Sequence, residues 1–192
     1  MHLAKLVYNE NGWTLPSNLT KVGVVLNNGD YFGYEEWLNN EFLNENKIGY
    51  VECFRTCQRE ESFERIALFT FDRATRTVYY VGNLFNVKQL IDTEIIGIRN
   101  LLIQQNWIQN KNVELNQIFP KTDAIHHYTN SYNSNDIVGD YAKSFILNIR
   151  YERIELFPKY NWINLTNINF KVNKKWRRLS KLYNVDTDFF PY

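Results

Sequence analysis

The clearest pattern along the chain is a pair of runs rich in β-branched and aromatic residues. Residues 63–71 and 77–82 are dominated by Phe, Ile, Val and Tyr, whereas residues 72–76 between them are largely polar. Two such runs joined by a short polar segment are typical of a β-hairpin. The pattern therefore predicts a hairpin over residues 63–82.

A helical period follows the predicted hairpin. Asn86 is a residue type that caps helices, and apolar residues recur after it at spacings of three and four as far as Trp107. These residues are Val87, Leu90, Ile91, Ile95, Ile98, Leu101 and Leu102. The pattern predicts a helix over about residues 87–107. Because its apolar stripe and the apolar strand faces each need a partner, we expect the helix to pack on the hairpin.

Weaker patterns complete a fold of strands and helices that do not alternate regularly. Tyr34, Trp37, Leu38 and Phe42 lie at helical spacing and predict a short helix over residues 34–43. Further strands are predicted over residues 3–8, 21–26, 47–54 and 145–151 and within 161–171. The fold class that follows is α+β.

The length of the chain and its distribution of polar residues predict a single domain. The chain has 192 residues and is 44% hydrophobic, enough for one sizeable core. Residues 120–140 are polar and without period, so we expect a long loop that is the most mobile part of the domain. The expected division is a core over about residues 1–118, this loop, and a C-terminal strand with a basic extension over 141–192.

Composition limits the cellular setting. No run approaches the ~20 apolar residues that a membrane helix needs, and the first residues do not form a signal segment. We therefore expect a cytoplasmic protein with no membrane partner, and we interpret Cys53 and Cys57 as free thiols. The net charge of +1 argues against binding to nucleic acid through bulk charge, so any basic surface must be local.

Catalytic motifs are missing from the sequence. Neither a phosphate-binding glycine loop nor a G-x-S-x-G elbow occurs, and the three histidines, His2, His126 and His127, lie in no recognisable triad. The adjacent pairs Glu35–Glu36 and Glu60–Glu61 would point apart on a helix. We therefore assign no catalytic residue, no metal ligand and no cofactor.

Aromatic residues make up 16% of the chain and concentrate in residues 29–38, which hold four rings, two glycines and three acids. Glycines allow close approach of a planar ligand, rings stack on its faces, and acids accept from its exocyclic amine. The candidate base-binding residues are Trp13, Asp30, Tyr31, Phe32, Tyr34, Glu35, Trp37 and Phe54. The alternative is that Tyr34, Trp37 and Leu38 only anchor a helix to the core.

A protein that binds a nucleic-acid base in such a pocket must also hold the phosphate backbone, which supplies much of the affinity for nucleic acid. Three groups of basic residues could do so: one follows residues 47–54, one lies at the hairpin tip, and one surrounds Trp176. The candidates are Arg55, Arg59, Arg73, Arg76, Lys174, Lys175, Arg177 and Arg178.

The runs FGYEEWL (residues 32–38), KIGYVECF (47–54) and VYYVGN (78–83) resemble the EVE/YTH-type domains of the PUA-like superfamily in bacterial modification-dependent restriction systems. The resemblance covers about the first 110 residues. It implies a small curved β-barrel or mixed sheet with helices at its rim, which flips a modified base of double-stranded DNA into an aromatic cage. No nuclease or NTPase motif follows, so the resemblance also implies an effector domain on a longer protein or a partner.

Other functions remain open at this point. The same pocket is suited to a modified base in RNA. Alternatively, the aromatic residues belong to the core and the 120–140 segment docks a protein partner. A nuclease with an unfamiliar site is the third alternative.

Overall fold

The computed structural model describes residues 2–15, 37–54, 62–72, 74–118, 147–165 and 182–184. The strands in these ranges are β1 (His2–Leu6), β2 (Ile48–Gly49), β3 (Ser62–Asp72), β4 (Thr77–Gln89), β5 (Ile149–Arg150), β6 (Arg153–Leu156), β7 (Ile163–Asn164) and β8 (Leu182–Asn184). The α-helices are α1 (Glu41–Glu45), α2 (Asp92–Gln104) and α3 (Trp107–Ile118). Two 3-10 turns cover Glu52–Phe54 and Lys159–Asn161.

All eight described strands belong to one mixed sheet with the order β2-β5-β4-β3-β1-β8, and β6 and β7 also pair with β4. Strand β1 runs parallel to β3, and every other described pair is antiparallel. The chain from β5 to β7 follows one edge of β4 in three short pieces. The described strands form an open path, and the coarse prediction of an α+β fold is confirmed.

The alternation of side chains between the two faces of the sheet is interrupted at two places along β4. The register of β4 with β3 shifts between Leu68 and Phe69, and Asn86 has a left-handed backbone with φ 49°. Each irregularity interrupts the alternation of a regular strand. As a result Val81, Leu84 and Val87, three residues apart, all reach the same core.

The buried residues form three apolar clusters. The first lies on one sheet face and includes Leu6, Trp13, Leu68 and Leu84. The second joins α2 and α3 to Trp37, Leu43, Ile48, Tyr50 and Leu147. The third lies on the other sheet face and includes Leu3, Phe69, Val78 and Tyr80.

The predicted hairpin is confirmed, but its second strand is longer than the sequence pattern indicated. Val87 pairs with Phe63 and Gln89 pairs with Ile149, so the chain is still extended where the helix was predicted to begin. The assignment of Asn86 as a helix cap is therefore wrong. The helix begins at Asp92, where the Ile91 N–H donates to the Glu94 carboxylate over 3.2 Å.

The predicted 87–107 helix is also divided. Helix α2 ends at Gln104, and Trp107 begins α3 after a turn in which Asn106 has φ 56°. The buried residues of α2, Ile98 and Leu102, pack into the second cluster. Among the described residues, this cluster contains none from the hairpin. The expectation that helix and hairpin pack face to face is therefore wrong. No described helix is both long and apolar enough to cross a membrane.

The weaker predictions are correct only in part. Strand β1 confirms the first predicted strand, whereas residues 47–54 form only the two-residue strand β2 before a 3-10 turn. Of the predicted 34–43 helix, residues 34–36 lie outside the described residues, and the described short helix covers Glu41–Glu45. Strands β5 and β7 lie within the last two predicted strands, of which residues 145–146 and 166–171 are likewise not described. The predictions for residues 21–26 and 120–140 lie outside the described residues. Cys53 is buried, and Cys57 lies outside the described residues.

Gly82 allows β6 to lie against β4. A Cβ atom added there would lie 2.0 Å from the Glu155 carbonyl oxygen, and the Gly82 φ of 154° disfavours side chains. We expect Gly82→Ala to lower the free energy of unfolding by at least about 2 kcal/mol, because neither backbone can move without losing pairing. Equilibrium unfolding in urea measures the change.

Gly97 is the matched control. It lies in helix α2, where an added Cβ would meet nothing within 4 Å. Gly97→Ala should raise the free energy of unfolding by about 0.5–1 kcal/mol, because alanine favours the helix. Similar stability changes for the two variants would show that β6 does not depend on Gly82.

Candidate nucleic-acid interface

Three of the predicted base-binding rings are core residues. The exposed fractions of Trp13, Trp37 and Phe54 are 0%, 0% and 1%. A ring with no exposed face cannot stack on a base, so these residues do not line an open pocket in this structure. Trp37 and Leu38 are both fully buried, which agrees with the alternative that they anchor their segment to the core.

Of the predicted phosphate-binding residues, only Arg76 is described. It is exposed at the hairpin tip with φ 55°. The other base-binding candidates, Asp30, Tyr31, Phe32, Tyr34 and Glu35, lie outside the described residues. So do Arg55, Arg59, Arg73, Lys174, Lys175, Arg177 and Arg178.

The structure instead assembles an aromatic cluster around Trp162. The ring centroid of Trp162 lies 5.6 Å from that of Trp13, 5.6 Å from that of Tyr79 and 5.9 Å from that of Tyr8. Trp13 is the buried base of this group, whereas Tyr8, Tyr79 and Trp162 are half-buried. These four residues are called the Trp162 cluster below. They come from three separate parts of the chain.

The turn after β1 fixes Trp13. The buried Asn9 side chain accepts from the backbone N–H groups of Asn11 at 2.7 Å and Trp13 at 3.2 Å, and it donates to the Leu15 carbonyl at 2.9 Å. Trp13 has φ 60°, a conformation that a bulky residue adopts only when its surroundings hold it there. The indole N–H of Trp13 donates to the Val7 carbonyl at 3.1 Å.

Strand pairing brings the other rings to this turn. Tyr79 of β4 pairs with Asn164 of β7, so the residues just before β7 pass beside it. The 3-10 turn Lys159–Asn161 then directs Trp162 toward Trp13. The Trp162 indole N–H donates to the Phe157 carbonyl at 2.9 Å, which fixes the ring.

Charged groups lie at the rim of the Trp162 cluster. The Lys159 ammonium is 5.6 Å from the Tyr8 ring centroid and 3.4 Å from a Glu10 carboxylate oxygen. Burial raises the pKa of the Tyr8 hydroxyl, and hydrogen bonding to Tyr8 raises the pKa of Lys159. Both groups therefore keep their protons at neutral pH. Tyr160, next in the chain, is 87% exposed.

The packing of these rings determines how a ligand could bind. Centroid separations of 5.6–5.9 Å are direct ring contacts. A base sandwiched between two rings would need about 7 Å between their planes, twice the usual contact distance. The Trp162 cluster therefore leaves no slot between its rings, and a planar group could bind it only as a platform, on the exposed parts of its partly buried rings.

A second aromatic group encloses a lysine. The Lys111 ammonium lies 4.9 Å from the Trp107 ring centroid and 5.7 Å from that of Trp37, and it donates to both Glu114 oxygens at 2.7 and 2.9 Å. The Trp37 indole N–H also donates to Glu114 at 2.9 Å. Burial lowers the pKa of Lys111, which Glu114 partly offsets. The lysine fills this space, so the group joins Trp37 to α3 and offers no opening.

Within the described ranges, no group of three or more His, Cys, Asp or Glu residues is arranged to hold a metal ion. In comparisons with known proteins, no family model, no curated protein and no solved structure matches this chain.

The sequence-based prediction found one of the four residues in the Trp162 cluster. Trp13 was a candidate, but Tyr8, Tyr79 and Trp162 were not, because each looked like an ordinary strand residue. For Tyr79 the sequence did carry a signal. Tyr79 lies between Val78 and Tyr80 in a strand, and because side chains alternate along a strand, its ring lies on the face opposite to these two buried residues. No sequence signal brings Trp162 to Trp13, since that contact spans 149 positions in the numbering.

The ion pair of Lys111 and Glu114 can be tested by a double-mutant cycle. Their side chains are 5% and 26% exposed, so removing one charge leaves the other poorly solvated. We expect Lys111→Met to lower the free energy of unfolding by about 1–3 kcal/mol. Lys111→Met/Glu114→Gln should recover most of that loss. A double variant that is less stable than Lys111→Met would contradict this account.

Proposed function

We propose that this chain is a nucleic-acid-binding module in which the Trp162 cluster stacks on a base. The observation that carries the proposal is a half-buried surface of three rings, Tyr8, Tyr79 and Trp162, with the exposed Lys159 ammonium at its rim. Base-to-ring stacking contributes typically ~1–3 kcal/mol per base, and a neighbouring cation can contact the phosphate.

The rigidity of the cluster supports a binding role. The Asn9 hydrogen bonds, the strained Trp13 backbone and the bond from Trp162 to the Phe157 carbonyl hold the rings before any ligand arrives. Side chains that are already ordered lose little entropy on binding. A fixed platform with a polar rim is therefore suited to a planar ligand.

The proposed ligand is double-stranded DNA that carries a modified base, which the protein flips out of the helix. This specificity comes from the resemblance to EVE/YTH-type domains, as do a curved PUA-like sheet and an effector nuclease or NTPase on a longer protein or a partner. The open platform suits an extruded base, because a base inside a duplex exposes no ring face. Direct contacts to the modification would come from residues 30–35, outside the described residues.

Replacing Trp162 tests the platform. We expect Trp162→Ala to weaken binding of a short duplex with one methylated or hydroxymethylated base about ten- to a hundredfold, because it removes the central ring. Fluorescence anisotropy with modified and unmodified duplexes measures the change. Lys159→Gln should give a smaller loss, similar for both duplexes.

Trp107→Phe provides the control for a loss of stability. Trp107 is 5% exposed and contacts Trp37 in the second cluster. None of the platform residues belongs to that cluster. This variant should melt at a lower temperature and keep its affinity. If Trp162→Ala binds as tightly as the unchanged protein, the platform is not the base site. If neither duplex binds the unchanged protein, the nucleic-acid function itself is wrong.

Arg76 tests the contact to the phosphate backbone. Its left-handed backbone tolerates asparagine, so Arg76→Asn removes the charge with little strain. We expect equal weakening for all duplexes, and a slope of log affinity against log salt that is smaller by about one.

Lys47→Asn is the matched control for Arg76→Asn. Lys47 is likewise exposed, with φ 53°, at the turn between α1 and β2. Its replacement should leave the salt slope unchanged. An equal effect of both variants would show that only the net charge matters.

A further inference from the structure

Strand β6 has one unpaired edge among the described residues. Its four residues pair with β4 from Gly82 to Phe85, and no other described strand lies on its outer side. The Phe157 N–H donates to the Val81 carbonyl in the same register, so the odd-numbered residues of β6 direct their backbone groups toward β4. The N–H and C=O groups of Ile154 therefore point outward.

The side chains of β6 separate by face. Ile154 and Leu156 pack on the first apolar cluster, whereas Arg153 and Glu155 lie on the opposite face with 59% and 39% of their side chains exposed. The Arg153 guanidinium carbon is 3.9 Å from the Phe85 ring centroid, and the guanidinium also contacts Glu155. This arrangement holds Arg153 beside Phe85, and it places one cation and one anion on the same face of an edge that pairs with no other described strand.

Such an edge is complementary to itself. In an antiparallel pair of two copies with Ile154 opposite Ile154, Arg153 of each copy faces Glu155 of the other. The outward backbone groups of the two Ile154 residues then form a mutually hydrogen-bonded pair. Opposite charges meet on one face, and apolar side chains meet on the other.

Neighbouring registers are less favourable. A shift of two residues in one direction places Arg153 opposite Arg153, and a shift in the other direction places Glu155 opposite Glu155. Like charges directly opposite one another are destabilising. A shift of one residue would bring the outward backbone groups of one copy opposite the inward groups of the other, and would exchange the faces.

We propose that β6 is a homodimerisation edge, at which a second copy of this chain pairs antiparallel about a twofold axis through Ile154. The pairing joins the sheets of the two copies into one. Arg153 and Glu155 of each copy then give four charges of alternating sign across the interface. This pairing is independent of the nucleic-acid function proposed above.

Charge reversal tests the pairing in the full chain. Sedimentation velocity over about a hundredfold range of concentration should show the unchanged protein passing from monomer to dimer. Arg153→Glu and Glu155→Arg, measured separately, should each weaken the dimer about tenfold or more, because like charges then face one another. An equimolar mixture of these two variants should dimerise again, since each supplies the charge that the other lacks.

The mixture also controls for misfolding, because an unfolded variant could not restore the dimer. The double variant Arg153→Glu/Glu155→Arg should dimerise like the unchanged protein. The proposal is overturned if the unchanged protein stays monomeric over the whole range. It is also overturned if the single variants dimerise normally, or if their mixture stays monomeric.

Discussion

The close approach of β6 to β4 at Gly82 is the contact on which the rest of the described structure depends. A side chain at this position would overlap the Glu155 carbonyl, so a regular β4 could not accept β6 along its edge. Once β6 is in place, β5 and β7 continue along the same edge, and β5 also pairs with β2. The strands that pair along this edge therefore connect two parts of the structure. The second apolar cluster, which contains α2 and α3, lies at one end of β4, and the Trp162 cluster lies at the other.

The aromatic residues fall into structural and surface groups. Trp37 and Trp107 enclose the Lys111–Glu114 ion pair, and their rings lie in the apolar cluster that holds α2 and α3. Trp13 is equally buried, but it supports the partly buried rings of Tyr8, Tyr79 and Trp162. The aromatic residues that the structure describes are therefore divided between the core and the surface.

Local patterns predicted the parts of the fold that depend on local interactions. The 63–82 hairpin was predictable because its strands are close in sequence and rich in β-branched and aromatic residues. The start of the helix was not, because Val87, Leu90 and Ile91 fit a helical period while Val87 belongs to a strand. The left-handed Asn86 shifts the alternation of β4, so the strand imitates helical spacing at this point.

The candidate site was less predictable than the fold for a related reason. Exposure of a ring depends on what packs on it, and both Trp13 and Trp37 contact tryptophans that are distant in sequence, Trp162 and Trp107. The contact between Trp13 and Trp162 requires the β4–β7 pairing, which has no local signature. A surplus of rings was visible in the composition, but their division between core and surface was not.

The tryptophan indole N–H signals in a nitrogen–proton correlation NMR spectrum give the most direct test of where a ligand binds. The chain has five tryptophans, of which Trp13 and Trp162 belong to the platform and Trp37 and Trp107 to the helical cluster. On titration with a duplex that carries a modified base, the Trp162 signal should shift most and the Trp13 signal less, while those of Trp37 and Trp107 stay unchanged. Binding that shifts only the signals of Trp37 and Trp107, or leaves that of Trp162 in place, would contradict the platform as the base-binding surface.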